Sequence, residues 1–127
     1  MIVRILIFNE AMFSPALFFK CLSDDTRLRC VTLLQKEGKL CVCELTTALD
    51  LTQPKISRHL ASLRQCGLLQ DSREGQWVFY QINAKLPDWA PPLLMNALLA
   101  VEQTDSFKSD LQRLKKMENR PDTVGCC

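Results

Sequence analysis

The stretch from Thr52 to Arg64 constrains this chain more than any other. Ile56, Leu60 and Leu63 fall at i, i+4 and i+7, while Lys55, Arg58, His59 and Ser62 fall at helical spacing on the opposite side. That pattern predicts an amphipathic helix, one side packed and the other open. Thr52 is placed to cap its start, Pro54 is harmless in a first turn where its missing N–H has no partner, and Gly67 suits the end. The open side carries Gln53, Lys55, Ser57, Arg58, His59 and Ser62, all capable donors, and no carboxylate intervenes before Asp71. Such a surface suits base edges and phosphate oxygens, although a solvated helix presents a similar one.

The flanking segments narrow the choice. Cys43 to Asp50 reads as a short helix separated from the long one by Leu51 and Thr52, which is helix-turn-helix spacing. Leu68 to Ser72 and Trp77 to Ile82 read as strands about a Glu74-Gly75 turn, with Val78, Tyr80 and Ile82 alternating against Trp77, Phe79 and Gln81. Together they predict a mainly α winged helix-turn-helix, with about five helices and a two-stranded hairpin wing. Arg73, Gly75 and Gln76 lie at the tip of that wing.

Residues 1–12 are expected to be an extension, 13–104 the winged-helix and dimerisation domain, and 105–127 a charged tail, partly disordered beyond Met117. Phe13, Leu17, Phe18 and Phe19 predict a greasy first helix, suited to core packing or to a partner. Ser23 is expected to cap a second helix with Asp24 and Asp25 in its first turn, Leu28, Val31, Leu33 and Leu34 on its buried side, and Gly38 at its end. Cys30 reads as a core residue there. Leu86 to Val101 is apolar nearly all round and wants a partner.

At 127 residues and 47% hydrophobic content the chain affords a modest core, and pairing would add burial. The net charge of +2 is too small to announce a nucleic-acid binder, so attraction to DNA must come from local clustering of Lys55, Arg58, Arg64 and Arg73. The seven cysteines are an odd number in no secreted framework, and the apolar Met1 to Phe8 run, broken by Arg4, is too short to span a membrane. They are expected to be reduced thiols of a cytoplasmic protein.

Leu22-Ser23-Asp24-Asp25-Thr26-Arg27-Leu28-Arg29, Leu40-Cys41-Val42-Cys43-Glu44-Leu45 and Thr52-Gln53-Pro54-Lys55-Ile56-Ser57-Arg58-His59-Leu60 resemble the arsenical-resistance repressor branch of the ArsR/SmtB metalloregulators. The likeness runs from about Phe18 to about Val101, motif order and spacing kept. It implies a homodimer, paired through the first and last helices, that holds double-stranded operator DNA and is released by trivalent arsenic or antimony. Lys55, Ser57, Arg58 and His59 would then face the major groove, Thr52 and Gln53 a phosphate, and Arg73 to Gln76 the backbone or minor groove.

Cys41 and Cys43 are the candidate ligands, since thiolates select thiophilic ions over magnesium or calcium. On a regular helix residues i and i+2 diverge by about 200°, so a shared ion is expected to require unwinding of the turn. The branch carries a third cysteine where this chain has Thr46, so a third sulfur would have to come from elsewhere, with Cys126 or Cys127 the possible third ligand, or the site would work with two thiolates and an exogenous ligand. No constitutive cofactor is expected. A His-rich zinc site is disfavoured because His59 is the single histidine. A cadmium sensor and a thiol redox switch keep the same DNA-binding module. A thiol enzyme such as an arsenate reductase lacks any anion-binding loop around a cysteine.

Overall fold

The computed structural model describes residues 13–118 and residue 120. Its elements run α1 (Pro15–Leu22), α2 (Asp25–Glu37), β1 (Leu40–Cys41), α3 (Val42–Leu49), α4 (Gln53–Gln65), β2 (Leu69–Glu74), β3 (Trp77–Ile82), α5 (Ala90–Val101) and α6 (Asp105–Lys116). The predicted winged helix-turn-helix is present.

In α4, Ile56, Leu60 and Leu63 are fully buried, so the 3.6-residue period does place one side in the core. They meet Val31, Leu33 and Leu34 of α2 and Leu45 and Leu49 of α3 in a single cluster. Gly67, at φ 91°, ends the helix: its N–H reaches the Arg64 carbonyl and the Leu68 N–H the Leu63 carbonyl, satisfying the last turn. A Cβ there would also lie 3.3 Å from the Phe13 ring.

Several expectations are corrected. Ser23 closes α1, and it is the Asp24 carboxylate, accepting from Arg27 N–H at 3.0 Å, that caps α2. Carboxylate and hydroxyl are equally good caps, and Ser23 is already committed to the Lys20 carbonyl at 2.8 Å. Thr52 holds the N-cap position of α4 but makes no side-chain cap bond. The wing turn is Gly75-Gln76, between the paired Glu74 and Trp77, with Gly75 at the positive φ a two-residue hairpin demands. The sheet has three strands, because Leu40 and Cys41 pair antiparallel with Tyr80 and Phe79.

The segment expected as a charged tail is a helix of the fold up to Lys116. Phe107 and Leu114 of α6 are in the main core, and α6 lies along α3. Its Asp110 side chain is wholly buried, bridged by Arg29 at 2.6 Å and Arg113 at 2.8 Å. Arg29 also donates to the Leu49 carbonyl at 3.2 Å and Arg113 to the Ala48 carbonyl at 2.8 Å, so two cations hold the negative end of α3. Among the described residues no helix is long and apolar enough to cross a membrane.

Candidate nucleic-acid interface and thiol site

The exposed side of α4 presents Thr52, Gln53, Ser57, Arg58 and Ser62, with Lys55 half-buried beside them. Pro54 occupies the first turn and no side chain caps its N–H groups, so the positive end of the helix dipole stays open to an anion. Arg73, Gly75 and Gln76 are exposed at the wing. Among the described residues Lys55, Arg58 and Arg73 form no ion pair, whereas Arg64 lies 3.6 Å from Asp71 and Lys39 is paired with Glu74. The cation set open to a polyanion is therefore smaller than the sequence count suggests.

His59 departs from the rest. Its side chain is 13% exposed and turned toward the start of α2, with Nδ1 3.8 Å from the Asp24 carboxylate and 3.5 Å from the Arg27 guanidinium. Burial pushes its pKa down, against the pull of Asp24 and with the help of Arg27, Arg58 and Lys55.

Cys41 and Cys43 lie 3.3 Å apart, sulfur to sulfur. The expected 200° divergence does not arise because Cys41 is not in the helix: it ends β1 and stands at the N-cap of α3 in extended conformation, φ −87° and ψ 170°. No unwinding is needed to bring the two sulfurs together. Burial raises the Cys41 pKa, with the Glu44 carboxylate adding to the push while backbone N–H donors oppose it. Cys21, Cys30 and Cys66 are free thiols, as expected, but Cys43 is disulfide-bonded. Half-buried at the helix start, its sulfur offers itself to an ion only when that bond is reduced.

Around this pair the fold converges. Cys41 and Phe79 form a small second core with Cys43, Trp77 and Met117 against it, so one face of the wing strand β3 rests on the thiol site while Tyr80 and Ile82 rest on the main core. Glu44, 3% exposed, accepts from the Cys41 N–H at 2.9 Å and from Arg120 at 2.6 Å. Sequence reasoning missed Glu44, although Cys41-x-x-Glu44 is capping-box spacing with a cysteine in the serine position. Thr46 donates to the Val42 carbonyl at 2.8 Å, one turn back along its own helix. Among the described residues no group of three or more cysteine, histidine or acidic side chains could hold a metal ion. Cys126 and Cys127, the possible third ligand, lie outside the described residues, as do residues 1–12.

A helix-turn-helix with a hairpin wing and a basic helix whose start carries no side-chain cap define a DNA-binding regulator. Residues 24–71 match the bacterial regulatory proteins of the arsR family. An arsenic resistance transcriptional regulator of Pseudomonas putida is 49% identical over 91% of this chain and 100% of its own length. The arsenical resistance operon repressor of Escherichia coli is 53% identical over 65% of this chain and 71% of its own. Among solved structures, the antimony-specific repressor AntR superposes with a TM-score of 0.58 at 30% identity, over 69% of this chain and 77% of that one. The chain belongs to the ArsR family of transcriptional regulators, and it is a regulator, not an enzyme.

Proposed function

We propose that the chain is a cytoplasmic, homodimeric repressor that holds double-stranded operator DNA and lets go when trivalent arsenic or antimony binds its cysteine sulfurs. The observation that carries this reading is the position of Cys41. It is at once the last residue of the strand paired to the wing and the N-cap of the helix that supports α4.

The donor set fits such an ion: two sulfurs 3.3 Å apart, walled by Phe79 and Trp77, with the nearby carboxylate engaged in a cap. When bound, such an ion would supply a thiophilic anchor for the sulfurs of Cys41 and Cys43. Cys41 and Cys43 would be the ligands, and the third position that Thr46 cannot fill would fall to Cys126 or Cys127 or to an exogenous ligand. Moving Cys41 shifts a residue whose N–H is fixed to Glu44 and whose neighbour in the sheet is Phe79. Both α3 and the wing are therefore disturbed together, without the unwinding expected from an all-helical site. The far end of α3 is clamped by Arg29 and Arg113, so displacement at its start becomes a tilt.

The test is operator affinity of the reduced protein, using duplex from upstream of its own coding sequence, with arsenite, antimonite, cadmium, zinc and peroxide as challengers. Release by arsenite or antimonite supports the reading; an unchanged dissociation constant removes it. Substituting Cys126 and Cys127 by Ser checks the third sulfur, and no loss of arsenite affinity counts against it. The disulfide at Cys43 favours a second reading, in which the same junction answers to oxidation. Release by peroxide and not by arsenite would establish that one instead.

A further inference from the structure

The Asp24-Asp25-Thr26-Arg27 segment belongs to a motif of the resemblance yet has no part in either the thiol site or the exposed face of α4. Its placement gives it one. Arg27 donates through Nε to the Cys21 carbonyl at 2.7 Å and through Nη2 to the Lys20 carbonyl at 3.4 Å, so it grips the last turn of α1. From there Nη1 reaches His59 Nδ1 at 3.5 Å, in the middle of α4. Asp24, which caps α2, stands 3.8 Å from the same nitrogen. One guanidinium thus joins α1, α2 and the DNA-facing helix, and a side chain of that helix points inward to meet it.

We propose that His59 is a positioning residue for operator recognition, holding α4 in register through Nδ1 as an acceptor from Arg27, and is not itself a DNA contact. This rests on the DNA-binding reading above. A guanidinium only donates, so the ring nitrogen facing it must carry the lone pair, which places the proton on Nε2. Burial, which lowers the pKa of the ring, favours the neutral imidazole. The inward turn also explains why the ring is 13% exposed while Ser57 and Arg58, its neighbours in sequence, are open.

Two amides separate the two nitrogens. In His59→Asn the side-chain oxygen takes the place of Nδ1, whereas in His59→Gln the amide reaches where Nε2 stood. The full-length reduced protein is titrated with the upstream duplex over a range of salt. His59→Asn is expected to stay within about threefold of the native affinity, and His59→Gln and His59→Ala to weaken it by about tenfold or more. All three keep the native dependence on salt, since no phosphate contact is lost. Affinity kept by Gln and lost by Asn, with a shallower salt slope, assigns His59 to the DNA and overturns the proposal; so does equal affinity across the variants, or a loss shared equally by Asn and Ala in folded protein. Should the variants fail to fold, nitrogen NMR of the native ring decides: a proton on Nε2 at neutral pH supports the proposal, one on Nδ1 contradicts it. If the native protein binds no upstream duplex, the DNA-binding reading fails, and the tautomer still judges the Arg27 contact.

Discussion

At the scale of the residue, Arg58 and His59 are neighbours in sequence with opposite surroundings. Arg58 is exposed and, among the described residues, in no ion pair, so its guanidinium is available to the groove. Arg58→Ala is predicted to weaken operator binding by about 1–3 kcal/mol if it reads a base, and to flatten the salt dependence if it holds phosphate; titration at several salt concentrations separates the two. Indifference to the substitution would contradict both roles. His59 faces Asp24 and Arg27 of α2, with Arg58 and Lys55 beside it on α4, and its pKa is held below the ordinary 6.5. The unfolded chain then takes up a proton first as pH falls. The stability this contributes is fully present above 6.5 and lost as pH falls through the lower folded-state value. Urea unfolding from about pH 7.5 to about pH 5 is expected to show a decline that His59→Asn lacks.

At the scale of the element, α4 and α6 show what was legible in the chain. Ile56, Leu60 and Leu63 announce themselves by period, because core contacts within one helix recur locally; Leu60→Ala should cost about 2–5 kcal/mol in chemical denaturation. The charged α6 does not, because the burial of Asp110 depends on Arg29, 81 residues earlier, as well as on its neighbour Arg113. Asp110→Ala leaves that guanidinium, 14% exposed, without its buried partner. A loss of about 3–5 kcal/mol is expected, read from urea midpoints, and a change within error would show that the buried ion pair adds no stability. Sulfur chemistry marks Cys41 and Cys43 as a pair in the sequence, but their geometry is not legible there. Where α3 begins is decided by the Glu44 cap and by a two-residue strand whose partner, Tyr80 and Phe79, is distant in sequence. The inward turn of His59 is likewise hidden in the sequence, since a basic helix side conceals which polar group a neighbouring helix holds.

At the scale of the whole molecule, Phe19 (55% exposed), Met95 (54%) and Leu99 (53%) leave large apolar side chains of α1 and α5 in water. Those are the helices assigned to pairing, and covering them in a dimer would set two α4 helices about 34 Å apart, one turn of duplex. Leu99→Lys is predicted to shift sedimentation equilibrium toward monomer and to weaken operator binding with it; an unchanged mass would place the interface elsewhere. Under the proposed function, dimer, wing and thiol pair would form one device, since Cys41 belongs both to the strand paired with the wing and to the N-cap of the helix that supports α4. The most direct measurement is operator affinity of the reduced native protein and of Cys41→Ser, each with and without saturating arsenite. Arsenite is predicted to weaken the native protein by about 5–150-fold and to leave Cys41→Ser unmoved. A native protein that binds arsenite through Cys41 yet grips its operator as before would contradict the coupling.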